Sequence, residues 1–292
     1  MDIGKRDPIT GRLTTGHEWN GIEELDTPVP RVVLFFLAIT TVFAIGYWIA
    51  MPAWPLGSTY TKGILGIDQR DIVTKQVEAA RLARGPWMDK IGAADFATLK
   101  ADPDIMQHVR ETGRTLFTDN CAVCHGVGAT GGPGFPNLTA KAWLWGGAPE
   151  ALAQTISVGI NSTNNDTRSS QMTPFGASGA LDLKQVGQVA AYVRSLSAAP
   201  SGDSAEAETI KAGQEIFTAN CVSCHGEDAK GKQDVGAPDL TDKVWVYGGD
   251  LDSVYRSIYG GRQGHMPHWK NRLSPAEIKL LALYVDTLGA AP

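Results

Sequence analysis

Residues 32–51 (VVLFFLAITTVFAIGYWIAM) are almost wholly apolar, and no charged residue occurs over 32–61. At about 1.5 Å per residue, this run crosses the roughly 30 Å hydrocarbon layer of a bilayer as one helix. The stretch before it is polar and mixes Lys5, Arg6 and Arg12 with Glu18, Glu23, Glu24 and Asp26. A secretory signal peptide has a short basic start and a shorter apolar run, so the pattern favours an uncleaved anchor. Tyr47, Trp48, Trp54 and Tyr60 gather at the far end of the run, as an aromatic belt does at a membrane surface.

Beyond the anchor the apolar positions take up helical spacing. Val73, Val77, Ala80 and Leu82 share a pattern that ends at a break predicted at Gly85 and Pro86. This stretch has no core of its own and reads as a connector that packs against a partner or the domain that follows. Asp102 and Pro103 form an N-cap and first-turn pair, predicting a helix to about Asn120 with Gly113 and Phe117 on one face.

From there the chain repeats itself. Gly113, Phe117, Thr118, Asn120, Cys121, Cys124, His125 and Gly126 recur as Gly213, Phe217, Thr218, Asn220, Cys221, Cys224, His225 and Gly226. Pro136, Leu138, Thr139, Lys141, Trp143, Gly146 and Gly147 recur as Pro238, Leu240, Thr241, Lys243, Trp245, Gly248 and Gly249. Each copy ends in a predicted helix, where Ala191, Tyr192, Val193 and Leu196 answer to Leu283, Tyr284, Val285 and Leu288. Two tandem domains of common ancestry follow, at 102–197 and 209–292, joined by a linker at 198–208 rich in Ser, Ala, Gly and acid.

The chemistry sits in the repeat. Two cysteines three positions apart followed at once by histidine match the c-type haem attachment site. All four cysteines of the chain, Cys121, Cys124, Cys221 and Cys224, fall in its two copies, with His125 and His225 as the matching iron ligands. A zinc site would need a fourth ligand and wider spacing. A thioredoxin-like pair would need a βαβ background that the chain does not show. Two covalently attached haems are therefore the expected cofactors. Only Met172 and Met266 lie after the first motif, at corresponding places, and they are the candidate sixth ligands, with His265 and His268 as substitutes for the second. Spacing leaves open whether each methionine closes the haem of its own copy or of the other. Trp143 and Trp245, at matching places, read as closing the pocket or reaching a propionate, or else as core packing. His17 and His108 fall outside both repeats and read as solvated or structural.

A net charge of −5 argues against nucleic acid as a partner. Covalent haem is attached on the outer side of an energy-transducing membrane, which places the N-terminus in the cytoplasm and the repeats in the periplasm of a bacterial inner membrane.

The run at 17–31 (HEWNGIEELDTPVPR), followed by the anchor and two haem motifs, resembles the dihaem subunit III (FixP/CcoP-like) of cbb3-type cytochrome c oxidases over essentially the whole chain. Val32 and Val33 depart from that pattern, which has aromatic residues there. The resemblance implies a mainly α protein: a cytoplasmic segment at 1–31, a transmembrane helix at 32–53, a periplasmic connector at 54–101 and two tandem class I cytochrome c domains. It also implies electron flow from a donor cytochrome c to a monohaem cytochrome c subunit and the catalytic haem-copper subunit, with no catalytic centre in this chain. A dihaem subunit of a periplasmic dehydrogenase and a dihaem peroxidase are the competing readings. The peroxidase would need one open haem position.

Overall fold

The computed structural model describes residues 4–199 and 203–289, so residues 200–202 of the expected linker lie outside the described residues. The chain forms two compact units, Met1–Ala83 and Arg84–Pro292.

In the first unit, strands β1 (Thr14–Trp19) and β2 (Ile22–Leu25) pair antiparallel, with Trp19 opposite Ile22. The turn between them is Asn20 and Gly21, both at positive φ (52° and 85°), the combination that a tight hairpin with right-handed strand twist requires. Helix α1 (Arg31–Ala50) buries none of its residues within the chain. Its threonine hydroxyls are satisfied internally: Thr40 Oγ1 donates to Phe36 O at 2.8 Å and Thr41 Oγ1 to Leu37 O at 2.7 Å, as an apolar surrounding demands. At its C-terminal end the chain folds back, and the amides of Ile64 and Leu65 donate to Ile49 O and Ala50 O, carbonyls that the helix itself leaves without partners.

Helix α2 (Gln69–Ala93) carries Pro86 inside it, so the break expected at Gly85 and Pro86 is not a helix end. Proline clashes mainly with the Cβ and amide of the residue before it, and here that residue is glycine. The short helix α3 (Phe96–Lys100) follows, capped by Asp95 accepting from Thr98 N at 2.8 Å. Helix α4 (Pro103–Asn120) begins where Asp102 caps the amides of Asp104 and Ile105, as its sequence predicts. One turn, α5 (Ala122–His125), and helix α6 (Pro149–Val158) complete the first part of the repeat. Helix α7 (Leu183–Ser197) opens on a capping box of Asp182 and Gln185. The second copy supplies α8 (Ser204–Asn220), the turn α9 (Val222–His225), α10 (Leu251–Gly260) and α11 (Pro275–Thr287), the last opened by a capping box of Ser274 and Glu277.

The two hydrophobic cores do not coincide with the two contiguous repeats. One joins Val109 and Phe117 of α4 and Ile156 of α6 to Leu281, Leu283 and Val285 of α11. The other joins Val186, Val189 and Val193 of α7 to Phe217 of α8 and to Val254 and Ile258 of α10. Each copy has exchanged its C-terminal helix with the other, so neither 102–197 nor 209–292 closes a core alone. The two C-terminal helices carry the same packing residue, Tyr192 or Tyr284. The short connection from α7 to α8 makes that pairing local and lowers its loop-closure cost, which leaves α11 for α4.

Two glycines permit the crossings. A Cβ at Gly113 would stand 2.7 Å from Tyr284 Cβ, and one at Gly213 would stand 2.0 Å from Gln188 O. Phe117 packs against Tyr284 with ring centroids 5.7 Å apart and Phe217 against Tyr192 at 5.3 Å, both pairs tilted. The end of the connector belongs to the first core through Ile91, Phe96 and Leu99. Lys100 Nζ meets Asp286 Oδ2 at 2.7 Å, and Lys279 Nζ donates to Ala94 O at 2.5 Å, both tying the connector to α11. His108 stacks on Trp87 at 4.6 Å, a structural role as expected, and His17 pairs with Glu24 at 3.2 Å.

Gly213→Ala should lower unfolding free energy by about 1–3 kcal/mol, because its methyl has no space against α7. Gly187→Ala on α7, where a Cβ meets nothing within 4 Å, should be neutral or stabilising. Denaturant melts of the two variants beside the parent check this pair.

Candidate haem centres

Each Cys-x-x-Cys-His motif is a single turn set on the end of a longer helix. Cys121 closes α4, its amide donating to Phe117 O at 2.7 Å, and His125 N donates back to Cys121 O at 2.9 Å. Cys221 and His225 repeat this at 2.8 Å and 2.9 Å. The chain then reverses through Gly126 and Gly226, and the amides of Gly131 and Gly231 return to His125 O and His225 O, both at 2.8 Å. Ala129 and Ala229 hold left-handed φ of 57° and 59° while fully buried, so only a small side chain fits either turn.

Both imidazoles are oriented by a proline carbonyl. His125 Nδ1 lies 3.1 Å from Pro136 O and His225 Nδ1 lies 3.2 Å from Pro238 O. A carbonyl only accepts, so Nδ1 carries the proton and Nε2 is left with its lone pair, the arrangement of a metal-ligating histidine. Burial lowers both histidine pKa values, opposed in part by the proline carbonyls, and favours the neutral ring that ligation needs. Burial also pushes the Cys121 and Cys221 thiols up to about 11, with a smaller contribution from Cys124 and Cys224. Such thiols are poor zinc ligands in the metal-free chain, and no group of three or more His, Cys, Asp or Glu among the described residues could hold a metal ion.

The two motifs open into one cavity of about 1060 Å³, and Met172 and Met266 both line it. This exceeds the roughly 300–1,000 Å³ of a single small-molecule pocket. Walls from both copies interlock around it. Trp145 packs where a Cβ on Gly236 would stand 2.4 Å from its ring, and the corresponding Gly134 donates its amide to Val246 O at 2.8 Å beside Tyr247. Trp143 and Trp245 line the cavity and also pack against the first and second core respectively, so both roles expected of them are met. The space, four convergent thiols and two presented imidazoles fit covalently held porphyrin.

The exchange of helices carries the methionines with it. Met266 packs with Cys121 against the first core, and Met172 packs with Cys221 against the second. Each is pinned by a two-way backbone bridge to the other copy. Met266 N donates to Ile160 O and Ile160 N to Met266 O, both at 2.9 Å; Met172 N donates to Arg262 O at 2.8 Å and Arg262 N to Met172 O at 3.3 Å. His265 also lines the cavity but is exposed, and His268 is not among the lining residues.

Three positions that sequence reading passed over hold these loops. Gly159 and Gly261 sit at positive φ (73° and 67°), and a Cβ on them would stand 2.4 Å from Met266 O and 2.5 Å from Met172 O. They answer to each other in the repeat, and extending its comparison past α6 and α10 would have found them. Asn161, also left-handed at 48°, donates through Nδ2 to Ser170 O at 2.8 Å and to Gly264 O at 2.7 Å, joining the segments that lead into both methionines.

Two such turns with oriented imidazoles, set in helical cores around a shared cavity, define the chain as a c-type cytochrome. The model of the N-terminal domain of cytochrome oxidase-cbb3, FixP, matches residues 11–58; that of cytochrome c matches 110–197; and that of cytochrome c oxidase, cbb3-type, subunit III matches 208–285. The chain is 46% identical over 288 residues to the cbb3-type cytochrome c oxidase subunit FixP of Bradyrhizobium sp. (strain ORS 278), covering 99% of this chain and 98% of that relative. It is 43% identical over 277 residues to the subunit CcoP of Cereibacter sphaeroides, covering 94% of each, and 40% identical over 292 residues to CcoP of Azospirillum brasilense, covering 98% of each. The chain belongs to the FixP/CcoP family of cbb3-type cytochrome c oxidase subunits. Two tandem cytochrome c domains behind one apolar N-terminal helix are therefore its architecture.

Gly159→Ala should release the Met266 segment while leaving the cores folded. Hydrogen exchange checks it: protection of the Ile160 and Met266 amides should fall at least about tenfold, which is ~1.4 kcal/mol of local stability.

Proposed function

We propose that this chain is the membrane-anchored dihaem cytochrome of a cbb3-type terminal oxidase, taking electrons from a donor cytochrome c and passing them towards the monohaem cytochrome c and catalytic haem-copper subunits that reduce oxygen to water. The carrying observation is the reciprocal seat of the two motifs: each Cys-x-x-Cys-His turn shares a core with the methionine of the other copy. Full-length kinship with FixP and CcoP supplies the complex.

Cys121 and Cys124 hold one haem c by thioethers, and Cys221 and Cys224 hold a second. His125 with Met266 ligates the first iron, and His225 with Met172 ligates the second. The haem domains are accordingly built across the repeats rather than within them. Bound haem supplies one-electron chemistry at iron, and a thioether ligand favours the ferrous state and so a high potential. The protein's own part is to keep that coordination closed. The Pro136 and Pro238 carbonyls fix the imidazoles, and the bridges at Ile160 and Arg262 fix the methionines. A dihaem peroxidase needs one position open to peroxide, which two pinned methionines oppose. A dehydrogenase subunit is disfavoured by relatives named as oxidase subunits over the whole chain.

Helix α1 is the anchor in a bacterial inner membrane, crossed once, with the N-terminal hairpin in the cytoplasm and the haem motifs in the periplasm. An apolar helix with no buried residue of its own supports this, because lipid or another subunit must cover it.

Native purification from solubilised membranes tests the assignment. Spectral bands of b-type haem and oxygen uptake driven by reduced cytochrome should travel with the c-type signal; c-type haem alone, without uptake in an intact complex, would sink it. The crossed ligation is read in a background lacking the first haem through Cys121→Ala and Cys124→Ala. There Met172→Ala should lower the potential of the remaining haem and admit carbon monoxide, while Met266→Ala should do neither.

A further inference from the structure

Ile160 and Arg262 hold equivalent places in the repeat, each bridging its backbone to the methionine of the other copy. Their side chains break the symmetry. Ile160 is apolar, whereas the Arg262 guanidinium lies 4.3 Å over the Tyr247 ring and donates through Nε to Ser257 Oγ at 3.0 Å. Arg262, Tyr247 and Ser257 all line the cavity beside Met172. The other cations that reach it, Lys141, Lys230 and Arg272, are exposed, while Arg262 is half-buried. Among the described residues no carboxylate is paired with Arg262.

The first copy has an arginine on the corresponding aromatic, but it faces elsewhere. Arg168 lies 5.1 Å over Trp145 and turns Nη2 to Ala151 O and Gln154 Oε1, and it is not among the residues lining the cavity. The cation on the Met172 side, Arg262, is therefore half-buried, whereas on the Met266 side Arg272, 4.1 Å over Trp269 of the first core, is exposed. Haem carries two carboxylates on its propionates, and carboxylates taken out of water need a charge partner, for which guanidinium is the matched donor.

We propose that Arg262 is a positioning residue for the haem held by Cys221 and Cys224: its guanidinium receives a propionate of that haem, and its charge, fixed on Tyr247 and Ser257, raises that haem's potential above what the isoleucine of the other seat would give. The sign follows from charge. A nearby cation disfavours ferric iron relative to ferrous iron, so its removal lowers the potential. The inference rests on the haem assignment above.

The test uses the full chain in its native complex with Arg262→Ile, which installs the residue of the other seat, Arg262→Gln and Arg262→Lys. Spectroelectrochemical titration followed at the c-type bands should show one midpoint potential lowered relative to the unaltered complex in the Ile and Gln variants and largely restored by Lys. Both haems of this chain should stay covalently attached, with the methionine–iron charge-transfer band retained and no carbon monoxide bound at c-type haem. Unchanged potentials in the Ile and Gln variants would overturn the proposal, as would a Lys variant that behaves like Gln. A drop accompanied by loss of the methionine band and new carbon monoxide binding would also overturn it, because Arg262 would then act only by holding the loop. Absence of two haems c from the unaltered chain would instead refute the functional assignment, so the two failures are distinct.

Discussion

Where α4 crosses α11 and α8 crosses α7, a glycine lets an aromatic ring lie against helix backbone. Gly113 admits Tyr284, and Gly213 admits Tyr192. Everything downstream depends on which helix finds which. Because α7 leads directly into α8, that pair forms with the smaller loop-closure cost, and the exchange of α11 onto α4 follows. The methionine segments precede α7 and α11, so they are carried across with the helices. The helix pairing thus determines which haem motif each methionine shares a core with.

The exchange also changes what holds each site together. Two contiguous cytochrome folds joined by a linker would be independent bodies. Here Gly134 and Trp145 of one copy interlock with Tyr247 and Gly236 of the other, and Asn161 bonds the approaches to both methionines. Loosening one C-terminal helix removes a wall from one core and a methionine seat from the other copy's motif. In the dihaem reading this favours electron exchange, since both centres lie in one packed body with fixed separation.

Much of this was legible in the sequence, and what was not has identifiable causes. The anchor, α4 with its Asp102 cap and the two haem turns follow from local rules: an uninterrupted apolar run, a capping residue before proline, and a motif whose function lies within five positions. Asn20 and Gly21 carried a strong hairpin signal that the charged, proline-bearing character of the leader obscured. Pro86 is tolerated because Gly85 precedes it. The exchange could not be read, because both copies offer a glycine-and-phenylalanine face on the first helix and a tyrosine on the last, and periodicity cannot choose between the pairings.

The repeat is symmetrical in the backbone devices around its two motifs and differs in the side chains beside the methionines. Glycines at the crossings, the proline carbonyls on the imidazoles and the glycines under the methionines are all duplicated. The side chains of Ile160 and Arg262 differ, as do the arginines over Trp145 and Tyr247, while the backbone bridges to the methionines stay the same. Two haems in identical surroundings would have equal potentials and no preferred direction of electron flow between them. Under the role proposed for Arg262, a different charge beside an otherwise equivalent methionine and backbone bridge breaks that equality.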